Sequence, residues 1–288
     1  MPRMKLRMGT LTTCTAGWQT FSKHTPIGVG ASRALHEATS TMCNRTVQTK
    51  TYEESRLLCV CTCFVLSTLY VPSCNRDNTE VVFYRHDGYT FSGAEQRTIQ
   101  TIAETAVRDA RVLLPNLPAN LIIRVNPGTK VIDEIGSSSS HSTPNVIHWA
   151  VDPSRPGGAA GIARAHLRAT LFFHLHRLTR QTHQAEVTLM DHVIGLGMAT
   201  AFERDAGGRT YPWGQYPAEV TAWVTELIAL PATANLNHWM FRHPDGRRWV
   251  GIRAGTYLVD RAISASGKSA AELVSLPSAE IIRLALKQ

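Results

Sequence analysis

The chain is expected to fold as α+β, with a small sheet followed by a mostly helical C-terminal half. Three observations lead there. Two short β-branched runs, Leu121–Val125 and Val146–Val151, read as strands in the first part of the region after residue 80. From Ile162 onward apolar residues recur at helical spacing. The first helix carries its own start signal, Ser92-Gly-Ala-Glu95, a capping box in which Ser92 accepts from the backbone and Glu95 reaches back. A length of 288 residues allows one large domain or two small ones, and no internal repeat is visible.

Taken in order, the elements are these. Behind the capping box Ile99, Ile102, Ala103, Ala106 and Ala110 repeat at helical spacing, and Pro115 and Pro118 stop that helix. Gly136-Ser-Ser-Ser-Ser-His-Ser, between the two strands, reads as a loop, and Pro156-Gly157-Gly158 as a break. A helix over Ile162–Thr179 presents Leu167, Leu171, Leu175 and Leu178 as one stripe. The next, Val187–Arg204, places Leu189, Val193 and Leu196 on one face and ends at Gly207-Gly208. Pro217 opens a helix with Val220, Trp223, Val224 and Leu227 that stops at Pro231. Asp245-Gly246 marks a tight turn, and Arg253–Ser266 and Ser269–Leu276 are read as the last helices, with Gly267 as a C-cap.

The first quarter of the chain differs in character. Residues 1–56 hold eight Lys/Arg against three Asp/Glu, whereas the rest holds 22 against 19, so the net charge of +8 says little about the folded part. Nucleic-acid binding, which calls for a basic face, gets weak support, and none is expected. Residues 1–56 show no sustained period and read as disordered, or as sequence upstream of a later start such as Met42. Residues 57–73 form the one long apolar run, the length of a secretory hydrophobic region and short of the roughly 20 residues of a spanning helix. Val71-Pro72-Ser73-Cys74 resembles a bacterial lipobox with Pro72 as a departure, making Cys74 the candidate lipid attachment site and residues 57–74 a candidate membrane anchor. The expected location is the cell envelope, with the cytoplasm as the alternative. All six cysteines lie at or before position 74, leaving the domain from residue 80 to 288 without disulfides or thiolate ligands.

The stretch that bears most on chemistry is Arg168-Ala-Thr-Leu-Phe-Phe-His-Leu-His-Arg177. Together with Val193-Ile-Gly-Leu-Gly-Met-Ala-Thr-Ala-Phe-Glu-Arg-Asp205, Pro212-Trp-Gly214, Trp223 and Gly251-Ile-Arg-Ala-Gly-Thr-Tyr-Leu-Val-Asp260, it resembles a bacterial family of predicted zinc-dependent proteases of unknown role. The resemblance implies a zincin-like fold. In a His-Glu-x-x-His helix two His four residues apart hold zinc and the Glu activates bound water. A third ligand, implied here to be a Glu, comes from a second helix, and one coordination position stays open. On that pattern Phe173 and Arg177 stand at the first two ligand positions, His174 at the general base and Leu196 at the third ligand.

All four roles are substituted, so no intact catalytic residue and no zinc are expected at that place. Burying Phe173 and Leu196 favours folding by roughly 1.5–3 kcal/mol each, whereas a buried Arg177 needs a partner; Glu203, Asp191 or Asp205 could serve, or Arg177 could reach solvent. The implied function is an inactive metallopeptidase homologue acting as a binding or structural domain, with a peptide or protein ligand in the old cleft near His176, Asp191, Glu203 and Tyr257. One alternative is an active peptidase with a relocated metal site built from His166, His174, His176, His183 and His192, with zinc as cofactor. On this reading Gln181-Thr182 lies in a turn. Another alternative is a purely structural envelope scaffold. His238-Trp-Met-Phe-Arg-His243 and Arg247-Arg248-Trp249 read as a hairpin or loop packed down by Trp239 and Trp249.

Overall fold

The computed structural model describes residues 78–86, 88–143, 145–231 and 234–287. The segments 1–56 and 57–74, including Cys74, lie outside the described residues. The described part is α+β, with a four-stranded mixed sheet and a largely helical second half.

The sheet has the order β1-β2-β4-β3. Strand β1 (Asn78–Phe83) runs parallel to β2 (Asn120–Pro127), which runs parallel to β4 (Val146–Val151). Helix α1 (Gly93–Leu113) makes the crossover from β1 to β2. The capping box forms as expected, and Ile99, Ala103, Ala106, Val107 and Ala110 face the core at helical period. Along β2, Leu121, Ile123 and Val125 are buried at period two.

Strand β3 (Ser137–Thr143) pairs antiparallel with β4 at the sheet edge. This corrects the loop expected there. Serine has low strand propensity and the run has no apolar alternation, but an edge strand needs only one partner and tolerates polar side chains. Strand β1 likewise went unread, because only its second half carries apolar residues.

Gly158–His183 forms one helical stretch: α2 (Gly158–Ile162), a π-helical turn (Ala163–Leu167) and α3 (Arg168–His183). The turn expected at Gln181-Thr182 is therefore helix. No Gly or Pro follows Gly161 in it, and the Thr182 hydroxyl donates to the Thr179 carbonyl at 2.7 Å. Helix α4 (Leu189–Asp205) starts at a second capping box, Thr188 with Asp191. A 3-10 turn (Pro212–Gly214), α5 (Val220–Ile228) and the short α6 (Leu236–Met240) follow. Trp239 and Trp249 are buried as expected.

Helix α7 (Val250–Ser266) begins a turn earlier than its periodicity suggested and ends at Gly267 in the left-handed conformation. Helix α8 (Ala270–Leu273) is shorter than the expected span to Leu276. Helix α9 (Ser278–Leu286), unread in the sequence, packs Ile281 and Ala285 inward. Helices α4 and α7 touch backbone to backbone. A Cβ added at Gly197 would lie 2.2 Å from the carbonyl carbon of Gly255, so both glycines are needed by the crossing. No helix among the described residues is long and apolar enough to cross a membrane.

Candidate functional site

Helix α3 lies under the edge strand, and polar side chains join the two. The His174 imidazole is buried, with Nε2 2.7 Å from Ser139 Oγ and Nδ1 3.1 Å from His141 Nδ1. His141 Nε2 lies 3.0 Å from Gln181 Nε2. Because the Gln181 amide donates, His141 Nε2 accepts and His141 Nδ1–H donates to His174; His174 Nε2–H then donates to Ser139. Both rings are neutral at pH 7. Burial lowers His141 to about 4, and burial, then the charges of His141 and Arg177, holds His174 well below the usual imidazole range.

Arg177, one turn further along α3, does not meet any of the three carboxylates expected for it. Its Nη2 donates to Glu186 Oε2 at 2.6 Å, and His192 Nδ1 approaches the same oxygen at 3.0 Å. The pair is interior: the Arg177 and Glu186 side chains are 11% and 5% exposed. Burial pushes the Glu186 carboxyl up, but the His192 hydrogen bond and the charges of Arg177 and Arg180 leave it below the usual carboxylate range. Glu186 Oε1 lies against Gly195, where an added Cβ would meet it at 2.0 Å. The expected partners are committed elsewhere. Asp191 caps α4 through Thr188, Asp205 pairs with Arg204 at 2.7 Å, and Glu203 accepts from Trp213 Nε1 at 3.2 Å. Burial pushes Glu203 well above the usual carboxylate range.

Glu186 was missed by sequence reasoning, although a signal existed. It is the sole acidic residue between Asp152 and Asp191, a stretch holding five arginines. Charge balance in a buried helix points to it.

The other two substituted positions are apolar and part of the packing. Leu196 is in the core at 9% exposure, and Phe173 packs half-buried against that core. The histidines proposed as a relocated metal set are dispersed. His166 Nδ1 lies 3.1 Å from Tyr211 OH, and His176 Nε2–H donates to the Ala270 carbonyl at 3.1 Å. His183 sits 3.5 Å from Asn116, and His174 and His192 hold the contacts above. The residues expected near a cleft each hold a partner of their own: Tyr257 packs edge-on against Tyr216, Asp191 caps α4 through Thr188 and Glu203 accepts from Trp213. Two shallow concavities, of about 210 and 170 Å³, lie near His166 and near Tyr89; neither is lined by Phe173, His174, Arg177 or Leu196.

Whether zinc would fit can be judged from the donor set. Phe173 and Leu196 offer no lone pair, and a guanidinium is donor-only and positively charged. Arg177 Nε and Glu186 Oε1 are both buried without a hydrogen-bond partner among the described residues. Among those residues no three His, Cys, Asp or Glu side chains converge as a metal-holding group. The residues at these positions do not fit zinc.

Comparison with known proteins gives one match. A family model described as "Predicted Zn-dependent protease (DUF2268)" matches residues 96–283. No curated protein and no solved structure matches.

Proposed function

We propose that this chain, which belongs to the family of predicted Zn-dependent proteases, has a zincin-like fold that has given up zinc-dependent hydrolysis and serves as a binding or structural domain. The observation that carries this reading is the buried Arg177–Glu186 ion pair, at 2.6 Å, on the helix position where the family resemblance implies a zinc ligand. A guanidinium there can neither ligate a metal nor activate water. His174 supports the same reading. Where a general base would need to face substrate, this imidazole is buried and bonded to Ser139 and His141. Those contacts also join the edge strand to α3, which favours a domain that presents its outer surface to a peptide or protein partner over one that admits a substrate between these elements. Location at the cell envelope, through residues 57–74 and Cys74, is part of the proposal.

The test is zinc content and chelator sensitivity of the full chain. After zinc loading and desalting, elemental mass spectrometry should find near-zero zinc in a folded sample, and peptide hydrolysis should be absent. About one zinc per chain, as a catalytic site would hold, with hydrolysis lost to a chelator, would overturn the proposal.

A further inference from the structure

We infer that Arg177 is a built-in cation, taking the structural place of a divalent ion between α3, the loop after it and α4, and that Glu186, which it meets, and His192, which meets the same carboxylate oxygen, are metal-type ligands. The inference rests on the reading above that the native domain does without zinc, but it can fail separately.

Three observations lead to it. First, the guanidinium meets a carboxylate that an imidazole also meets, and carboxylate and imidazole are donor types that bind zinc through O and N. Both reach one point: Arg177 Nη2 is 2.6 Å and His192 Nδ1 3.0 Å from Glu186 Oε2. Second, these groups come from three separate segments, α3, the 184–188 loop and α4, so the guanidinium ties chain together as a metal would. Third, the site is made for the carboxylate. Glu186 Oε1 occupies the space that a side chain at residue 195 would need, and residue 195 is glycine.

Neither Glu186 nor His192 stands at a position where the family resemblance implies a ligand. Apart from position 177, the latent ligand set therefore differs from the one that the resemblance implies. An imidazole is shorter than the arginine arm, and a zinc–nitrogen bond spans about 2.0–2.1 Å. Arg177→His would then leave room for a divalent ion near the point now held by Nη2, completing a set of two His and one Glu with a single substitution.

The experiment uses the full chain and its thermal midpoint, with zinc and with a chelator. The native midpoint should be the same in both. Arg177→His should unfold earlier than native protein in chelator. Zinc at about 100-fold over its Kd should raise its midpoint by roughly 5–10 °C, with one zinc found per chain by elemental analysis. Adding His192→Ala should abolish that rise. A folded Arg177→His variant that neither takes up zinc nor gains stability overturns the inference while leaving the loss of hydrolysis intact. Native protein that takes up zinc and hydrolyses peptides overturns the underlying reading instead. If Arg177→His does not fold even with zinc, a double-mutant cycle decides. Arg177→Met and Glu186→Gln should each lower the midpoint more than their combination does, and additive losses refute the built-in cation.

Discussion

Replacing Gly255 by alanine is the sharpest test of the helix packing that frames the site. The new Cβ would lie 2.0 Å from the Val193 carbonyl oxygen and 2.9 Å from its carbon. Ordinary contact begins at 3.4 Å, so α4 and α7 would have to separate by about 1.4 Å. Backbone atoms cannot rotate out of the way as a flexible side chain can. Overpacking of this kind costs typically 1–3 kcal/mol, and retreat by an ångström forfeits a quarter to a half of each dispersion contact along the crossing. Alanine returns about 1 kcal/mol of helix propensity. The net expected loss is about 2 kcal/mol, a fall of roughly 4–8 °C in midpoint for a domain of this size. Thermal unfolding followed by circular dichroism reads it directly. The paired control is Gly161→Ala, where the nearest atom to a new Cβ is the Pro156 carbonyl oxygen at 3.9 Å; there alanine should stabilise by about 0.5–1 kcal/mol. If Gly255→Ala is neutral or stabilising like the control, the helices do not cross as closely as described and the placement of Val193–Leu196 is wrong.

Two pH effects follow from the buried titratable groups. Glu203 is held protonated by burial, so its contribution is present below the ordinary Glu value of about 4.3 and is lost as pH rises toward its folded value. Glu203→Gln keeps an acceptor for Trp213 without a charge, so its urea midpoint should exceed the native one at pH 8, with the gap shrinking at pH 4; an equal gap at both would refute this. His141, His174 and His176 are depressed, His141 and His176 to about 4, so their contribution is present above the ordinary imidazole value of about 6.5 and is lost as pH falls through 4. His141→Gln should flatten the native decline in urea midpoint between pH 6.5 and 4, and an unchanged slope would remove His141 from the account.

What could be read from the sequence divides by physical cause. Helices announced by local chemistry were legible: Ser92 and Glu95 cap α1, and Leu167, Leu171, Leu175 and Leu178 all point into the core. Strand β3 was not legible, because what makes it a strand is the neighbouring β4 and not its own serines. Helix α9 is short, and its nine residues follow a proline that reads as a stop. At Arg177 the sequence pointed to the need for an acid if the side chain is buried, but not to Glu186. Three carboxylates on α4 offered the same charge, and the tertiary path of the 184–188 loop is what brings Glu186 to Arg177. The His141–His174 contact was hidden for the same reason, because it joins a segment read as loop to a helix residue 33 positions further on.

The motifs that carry the family resemblance contain two kinds of residue, and this chain separates them. Gly197 and Gly255 are needed wherever α4 and α7 cross at this distance, whatever the site does, and they are present. Positions 173, 177 and 196 are where the resemblance implies metal ligands, and they hold two apolar residues that pack with the core and an arginine paired with Glu186. A domain of about 200 residues buries enough surface to stand without a metal, unlike small modules that depend on zinc for folding. Phe173 and Leu196 pose no electrostatic problem. Arg177 does: removing one partner of a buried ion pair costs about 3–5 kcal/mol, a large share of the 5–15 kcal/mol by which such domains are stable. Arg177 is therefore compatible with this interior only while Glu186 is present, and the two residues, nine apart in sequence, act as one structural unit.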